Sequence, residues 1–190
     1  MGEFRFQVSQ GIISIGWNPE GKLSHIQWAL ASDGGEQPVG AIPAAALDMA
    51  AQLVRYFNEG VPISDVPWAE LDRTQWTEFQ SQVYRAITDI PHGETRTYAW
   101  VARRIGRWSA TRAVGQALRN NPFPILIPCH RVVAASSLGG FMGKVNPEDP
   151  ELQLKSALLG LEDLYRQPIF TFLSCAGSAP RPRDEVRACG

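Results

Sequence analysis

One stretch restricts this 190-residue chain more than any other: Asn121-Pro122-Phe123-Pro124-Ile125-Leu126-Ile127-Pro128-Cys129-His130-Arg131-Val132-Val133. Its apolar run reads as a buried β-strand. A strand that ends in Pro128-Cys129-His130 delivers a thiol to the rim of a core with a possible base beside it. A nucleophilic cysteine belongs in such a place. A free cysteine is equally at home as a small buried hydrophobe, and the segment by itself does not decide between the two.

Composition narrows the setting. With 44% hydrophobic and 19% charged residues the chain supports a packed core, either one ordinary domain or two small ones. No apolar run approaches the ~20 residues needed to span a bilayer. Met1 to Phe6 lacks the basic start and apolar stretch of a signal peptide. The three cysteines, Cys129, Cys175 and Cys189, are odd in number and include no CxxC pair. Neither a disulfide framework nor a four-ligand zinc site is suggested, so a reducing, cytoplasmic location is expected.

Net charge is −1 and argues for no particular partner, but its distribution does. From Thr95 to Asn146 there is no Asp or Glu, whereas Arg96, Arg103, Arg104, Arg107, Arg112, Arg119, Arg131 and Lys144 all fall inside. Such a field suits a phosphate backbone. The alternative is that these arginines pair with carboxylates of the N-terminal half across a domain interface.

The first thirty residues read as β-structure. Phe4, Phe6 and Val8 alternate with polar residues, and Ile12, Ile13, Ile15 and Trp17 follow. The turn Asn18-Pro19-Glu20-Gly21 then leads into Leu23 through Leu30. A loop is expected from Ser32 to Gly40. Pro43 opens an alanine-rich helix to about Asn58, with Leu47, Ala50, Ala51, Val54 and Phe57 as its apolar stripe. Ser64 to Leu71 reads as a linker.

Helices dominate thereafter. Thr74 is the expected cap of a helix carrying Phe79, Val83, Ala86, Ile87 and Ile90. Thr97 starts a short helix closed by Gly106. Another runs from about Ala110 to Asn120 with Ala113, Val114, Ala117 and Leu118 inward. Two short helices joined by a tight glycine-containing turn form a helix-turn-helix pattern, with Arg112 and Arg119 on the second. A glycine-bearing loop spans Ser136 to Gly143, and a last amphipathic helix covers Glu148 to Glu162. The tail after about Ser174, with Cys175 and Cys189, is expected to be disordered and its cysteines incidental.

Several pieces resemble one family together. Arg112-Ala113-Val114-Gly115, Asn121-Pro122, Pro128-Cys129-His130-Arg131-Val132 and Leu158-Leu159-Gly160-Leu161-Glu162 stand in the order and spacing of 6-O-methylguanine-DNA methyltransferases. Ile90-Pro91-His92-Gly93-Glu94-Thr95, followed by Thr97-Tyr98, is similar to that family's helix-capping segment. The resemblance covers about residues 74–165. It implies an α/β chain with a small ribonuclease-H-like α/β domain over residues 1–70. A mainly helical, winged helix-turn-helix-like domain over 71–173 would bind DNA and carry the chemistry, ahead of a tail over 174–190. The implied activity is single-turnover DNA repair, moving the alkyl group of 6-O-methylguanine irreversibly onto Cys129. The implied partner is double-stranded DNA containing 6-O-alkylguanine, met by a monomer with no cofactor, metal or membrane.

Roles follow residue by residue from the resemblance. Cys129 is the nucleophile, His130 the base acting through a bridging water, and Glu162 the carboxylate that orients the histidine. Tyr98 donates a proton or hydrogen bond to the guanine ring, and Asn121 supports the active-site hydrogen bonds. Arg112 fills the gap left by the flipped nucleotide, while Ala110, Thr111 and Gly115 permit close approach to the minor groove. Thr95 and Arg119 join the DNA-binding set, and Pro124, Phe141, Met142 and Gly143 the base pocket. Adjacent residues on a strand point to opposite sides, so Cys129 and His130 can share a proton only if the chain turns after Pro128.

The chain departs from the family at four places. Phe141 stands where a tyrosine is frequent, Lys144 where a second glycine is common, and Trp108 where a proline is common. Residues Val145 to Leu152 look like an insertion. Two other readings compete: a non-catalytic sensor of alkylated DNA with this fold, which Cys129 argues against, and a transcription regulator, which leaves Cys129, His130 and Glu162 unexplained.

Overall fold

A computed structural model describes residues 1–30, 41–63 and 65–166. The expected loop from Ser32 to Gly40 and the tail after Ser174, with Cys175 and Cys189, lie outside the described residues.

The alternation of the first thirty residues forms an antiparallel meander of β1 (Gly2–Val8), β2 (Gly11–Trp17) and β3 (Leu23–Ala29). Its register pairs Phe6 with Ile13 and Ile15 with Ile26, so apolar side chains stack across the central strand. Ile13, Ile15 and Ile26 are buried there. Helix α1 (Ala44–Glu59) packs against β1 and β2, entered through Pro43 and closed by Gly60 in the left-handed region at φ 70°. Its buried stripe is Ala46, Met49, Ala50, Leu53, Tyr56 and Phe57. The stripe drawn from sequence shared only Ala50 and Phe57 with it. Leu47 and Ala51 face solvent and Val54 is half-buried, because Met49, Leu53 and Tyr56 offer the larger surface to bury.

The end of the expected linker, Glu70 and Leu71, is built into the sheet. Leu23 N–H donates to the Glu70 carbonyl at 2.8 Å and Asp72 N–H to the Leu23 carbonyl at 2.7 Å, which sets Leu71 in parallel beside β3. Ile26 N–H also donates to the Pro122 carbonyl at 2.8 Å. The N-terminal sheet therefore holds directly the segment that leads to Cys129.

Helix α2 (Glu78–Thr88) begins one turn later than expected. Thr77, not Thr74, caps it: the Thr77 hydroxyl accepts from Gln80 N–H at 3.1 Å and Gln80 Oε1 accepts from Thr77 N–H at 2.9 Å. Thr74 instead bonds Asp72 at 2.7 Å. Two-residue strands β4 (Arg96–Thr97) and β5 (Val132–Val133) pair in parallel, and Thr97 caps α3 (Tyr98–Arg104). Gly106, at φ 71°, lets the chain reverse into α4 (Thr111–Arg119). Val114, Ala117 and Leu118 face the core, but Ala113 lies on the exposed face with Arg112. Helix α5 (Pro150–Arg166) closes the fold with Leu152, Leu154 and Leu158 buried.

The anticipated strand before Cys129 does not form. Pro122, Pro124 and Pro128 have no N–H to give a ladder, and Ile125 adopts φ 76°, unusual for a β-branched residue. Ile127 N–H turns back to the Phe123 carbonyl at 2.8 Å, making a buried loop whose apolar side chains still fill the core. The chain then passes into a single 3-10 turn over Cys129–Arg131.

The capping correction is testable. Thr77→Ala lowers the unfolding free energy by about 1 kcal/mol in urea denaturation, and Thr74→Ala costs less. An equal or larger loss in Thr74→Ala would place the cap at the wrong residue.

Candidate active site

Pro128 ends the buried loop, and Arg131 N–H donates to its carbonyl at 3.0 Å, closing the turn that carries Cys129 and His130. The turn required for the two residues to act together is present. Cys129 is 5% exposed and His130 fully buried. Asn121 reaches across with its amide: Nδ2 donates to Cys129 Sγ at 3.3 Å and to the Ile127 carbonyl at 2.9 Å, while Oδ1 accepts from Phe123 N–H at 3.0 Å. It is both the clasp of the loop and a donor to sulfur. Burial pushes the Cys129 thiol up, and the Asn121 bond and the nearby Lys155 only partly offset it. A thiol so placed needs a base.

His130 is the adjacent imidazole. Its Nε2 lies 2.8 Å from Glu162 Oε1. A carboxylate can only accept, so Nε2 carries the proton and Nδ1 keeps its lone pair. Nδ1 is buried without a hydrogen-bond partner among the described residues. Burial lowers the pKa of His130, which keeps the ring neutral and able to accept a proton.

Glu162 is fully buried on α5 and gathers donors from three segments. Tyr56 Oη donates at 2.6 Å, Arg131 Nε and NH2 each at 2.9 Å, and Gly93 N–H at 2.9 Å, in addition to His130. Burial alone would push this carboxyl up, but the His130 bond and the Arg131 guanidinium hold it well below the usual carboxylate range. His92 Nδ1 stands 3.6 Å from Oε1 and is kept toward the neutral form by burial.

Lys155 was not singled out from the sequence, and it is fully buried. Its Nζ donates to the carbonyls of Val132 at 2.7 Å, Leu138 at 2.7 Å and Gly140 at 3.1 Å. Burial draws its pKa down to about 8. The available signal was spacing: Leu152, Lys155, Leu158 and Glu162 repeat every three or four residues, placing both charged groups on the buried face.

Beside the thiol lies a pocket of about 230 Å³, lined by Tyr98, Gly115, Arg119, Cys129 and residues 140–145. Tyr98, at the start of α3, donates its hydroxyl to the Gly140 carbonyl at 3.2 Å. Phe141 is buried at 4% exposure and exchanges backbone hydrogen bonds with Lys144 at 3.0 and 2.8 Å. Met142 at φ 47° and Gly143 at φ 82° form the bend between them. Phe141, Met142 and Gly143 thus join the pocket as expected, while Pro124 is buried away from its lining. Thr95 is exposed ahead of β4 and does not line the pocket either. Thr111, Arg112 and Arg119 are exposed on α4, Ala110 is half-buried at its N-terminus, and only Gly115 and Arg119 of this set reach the pocket.

The acid-free window divides in two. Arg96 pairs with Glu94 at 2.7 Å, Arg104 with Asp89 at 3.0 Å, and Arg131 with Glu162. None of these carboxylates comes from residues 1–70, so these arginines are not paired across to that part of the chain as the alternative would have it. Arg103, Arg107, Arg112, Arg119 and Lys144 form no ion pair among the described residues; Arg112 and Arg119 stand on α4, and Arg119 and Lys144 line the pocket. Trp108 is 74% exposed at the turn before α4, with the Arg103 guanidinium 5.9 Å from its ring centre. No helix among the described residues is long and apolar enough to cross a membrane.

Residues 78–164 match the family described as 6-O-methylguanine DNA methyltransferase, DNA binding domain. The methylated-DNA--protein-cysteine methyltransferase of Methanosarcina mazei is 41% identical over 116 residues, 61% of this chain and 67% of the relative. The enzyme of that name from Mycobacterium tuberculosis is 41% identical over 116 residues, 60% of this chain and 68% of the relative. Among solved structures, the M. tuberculosis O6-methylguanine methyltransferase aligns with TM-score 0.66 at 32% identity, covering 89% of this chain and 96% of that one. M. tuberculosis OGT in complex with DNA aligns with TM-score 0.64 at 32% identity, covering 85% and 92%. A mixed α/β chain with a small sheet, a buried Cys-His-Glu site and these relatives belongs to the 6-O-methylguanine-DNA methyltransferase family.

Proposed function

We propose that Cys129 is the acceptor in the direct repair of 6-O-alkylguanine, with His130 its base and Glu162 the orienting carboxylate. The protein is a methylated-DNA--protein-cysteine methyltransferase that repairs double-stranded DNA by moving the alkyl group from the base to its own cysteine. One observation carries the residue assignment: His130, next to Cys129 in the 3-10 turn, bonds Glu162 through Nε2 at 2.8 Å, and its buried Nδ1 keeps a lone pair with no hydrogen-bond partner among the described residues. The Cys129 proton passes through a bridging water to Nδ1. The sulfur then attacks the alkyl carbon in line, the carbon–oxygen bond breaks, and the departing guanine anion is met by the Tyr98 hydrogen bond and takes up the proton that His130 received, returned through water. A thioether forms, which neither water nor a second substrate can reverse, so each molecule acts once. The lesion supplies the methyl group and no cofactor enters.

The exposed side of α4 supports a placement for the DNA. The lesion lies within the base stack, so the nucleotide rotates out at a cost of about a few kcal/mol. The exposed face of α4, with Thr111, Arg112 and Arg119, enters the minor groove, where sequence information is sparse and any lesion site is acceptable. Arg112 occupies the vacated stack. Tyr98 exchanges its bond to the Gly140 carbonyl for the incoming base. Asn121 holds the sulfur, and the bend from Phe141 to Gly143 walls the base pocket. We read residues 1–70 as a ribonuclease-H-like domain and 71–173 as a winged helix-turn-helix domain, supported by the β1–β3 meander with α1 and by the α3–α4 pair. The protein works as a monomer in the compartment that holds the DNA.

Two measurements test this reading. Intact-mass spectrometry after incubation with a 6-O-methylguanine duplex gives one added methyl, absent in Cys129→Ser; binding without transfer would instead favour a sensor of alkylated DNA. Arg112→Ala slows repair of duplex DNA by about tenfold or more, in keeping with loss of one to two kcal/mol of contact, and leaves reaction with free 6-O-benzylguanine nearly unchanged. Equal losses on both substrates would remove Arg112 from the role of stack filler.

A further inference from the structure

The His130–Glu162 pair receives one group from the N-terminal half, and it is a phenol. Tyr56 lies on the buried face of α1 and is 1% exposed. Its hydroxyl donates to Glu162 Oε1 at 2.6 Å and stands 3.3 Å from His130 Nε2. The buried neighbours on the same stripe, Leu53 and Phe57, are apolar, so packing against the sheet needs no hydroxyl at this position. A phenyl ring would fill the space without the cost of desolvating a polar group. The hydroxyl is explained by what it touches.

We propose that Tyr56 is a positioning residue for alkyl transfer: by donating to the oxygen that also accepts from His130, it fixes the Glu162 carboxylate and sets how readily His130 takes the Cys129 proton. The proposal rests on the acceptor role of Cys129 and extends it to the N-terminal half. Tyr56 keeps its own proton throughout, because burial and the Glu162 charge push its ionisation far out of range. The proton that moves goes from sulfur to His130 Nδ1, while the Nε2 proton stays in its bond to Oε1.

Other charged groups facing the pair are accounted for. Arg131, from the 3-10 turn, neutralises Glu162 with two bonds. His92, from the loop after α2, lies 3.6 Å from Oε1. Lys155, on α5, acts on His130 at longer range and spends its own donors on carbonyls. Tyr56 is the uncharged member of the set, and its effect is to spread the charge on Oε1. Without its hydroxyl, Oε1 bears more charge toward His130 and the imidazolium becomes easier to form. The neutral ring that accepts the thiol proton is then reached only at higher pH.

The test uses the full chain and free 6-O-benzylguanine, with Cys129 alkylation followed by intact mass across pH 5 to 9. Tyr56→Phe lowers the rate at neutral pH by about tenfold, the scale expected for losing one hydrogen bond to a charged group. It also moves the rising limb of the pH–rate profile to higher pH. Phe57→Leu, which loosens the same helix without touching the carboxylate, lowers thermal stability but leaves the midpoint in place. Replacing Tyr56 by 3-fluorotyrosine, a stronger donor, moves the midpoint the other way, and decides the matter alone if Tyr56→Phe does not fold. An unmoved midpoint in the folded variants overturns the proposal. Absence of transfer in the unaltered protein would instead overturn the acceptor role of Cys129, and the positioning role with it.

Discussion

The Glu162 carboxylate is the interaction on which the arrangement of this protein depends. It accepts from Tyr56 on α1, Gly93 after α2, and His130 and Arg131 in the 3-10 turn, while itself standing on α5. A buried carboxylate is costly unless its lone pairs are filled and its charge is met. Here both conditions hold, and the donors come from three separate segments. Removing the carboxylate would strand Arg131 and His130 together in a dry environment, a loss on the order of 3–5 kcal/mol. The same bonds that close the core therefore also orient the base beside the nucleophile.

Burial makes the chemistry both difficult and possible. A thiol at 5% exposure is reluctant to ionise. The surrounding groups counter this locally: Asn121 gives the sulfur a hydrogen bond, His130 is held neutral to receive the proton, and Lys155 brings a positive charge into the wall. Lys155 also ties the carbonyls of Val132, Leu138 and Gly140, which fixes the loop that shapes the pocket. Outside this dry centre the cations divide by partner. Arg131 meets a buried carboxylate, Arg96 and Arg104 meet solvent-accessible ones, and Arg112 and Arg119, exposed along α4, remain available to phosphates.

Much of this was legible along the chain, for identifiable reasons. Strand alternation, the stop at Gly60 and Gly106, and the inward face of α4 at Val114, Ala117 and Leu118 are local properties, and they appear in the structure. Cys129, His130 and Glu162 stood out through motif and spacing, and the fold brings them together. What escaped was decided by tertiary contact. The stripe on α1 turned toward Met49, Leu53 and Tyr56 because the sheet offers more surface there. The run Phe123 to Ile127 is apolar enough for a strand, but three prolines deny it a ladder. Lys155 and Tyr56 looked like ordinary helix residues, since a buried polar group reveals itself only once its partner, distant in sequence, is in place. Pro124, assigned to the pocket by analogy, does not line it.

The placement of both buried charges on α5 has a consequence for timing. Cys129 is synthesised before the helix that carries Lys155 and Glu162, so a growing chain displays its thiol before it has the carboxylate that aligns the base. Until α5 docks, His130 lacks the carboxylate that holds the proton on its Nε2, and Val132, Leu138 and Gly140 lack the ammonium that ties their carbonyls. The site is therefore complete only with the last helix of the described fold.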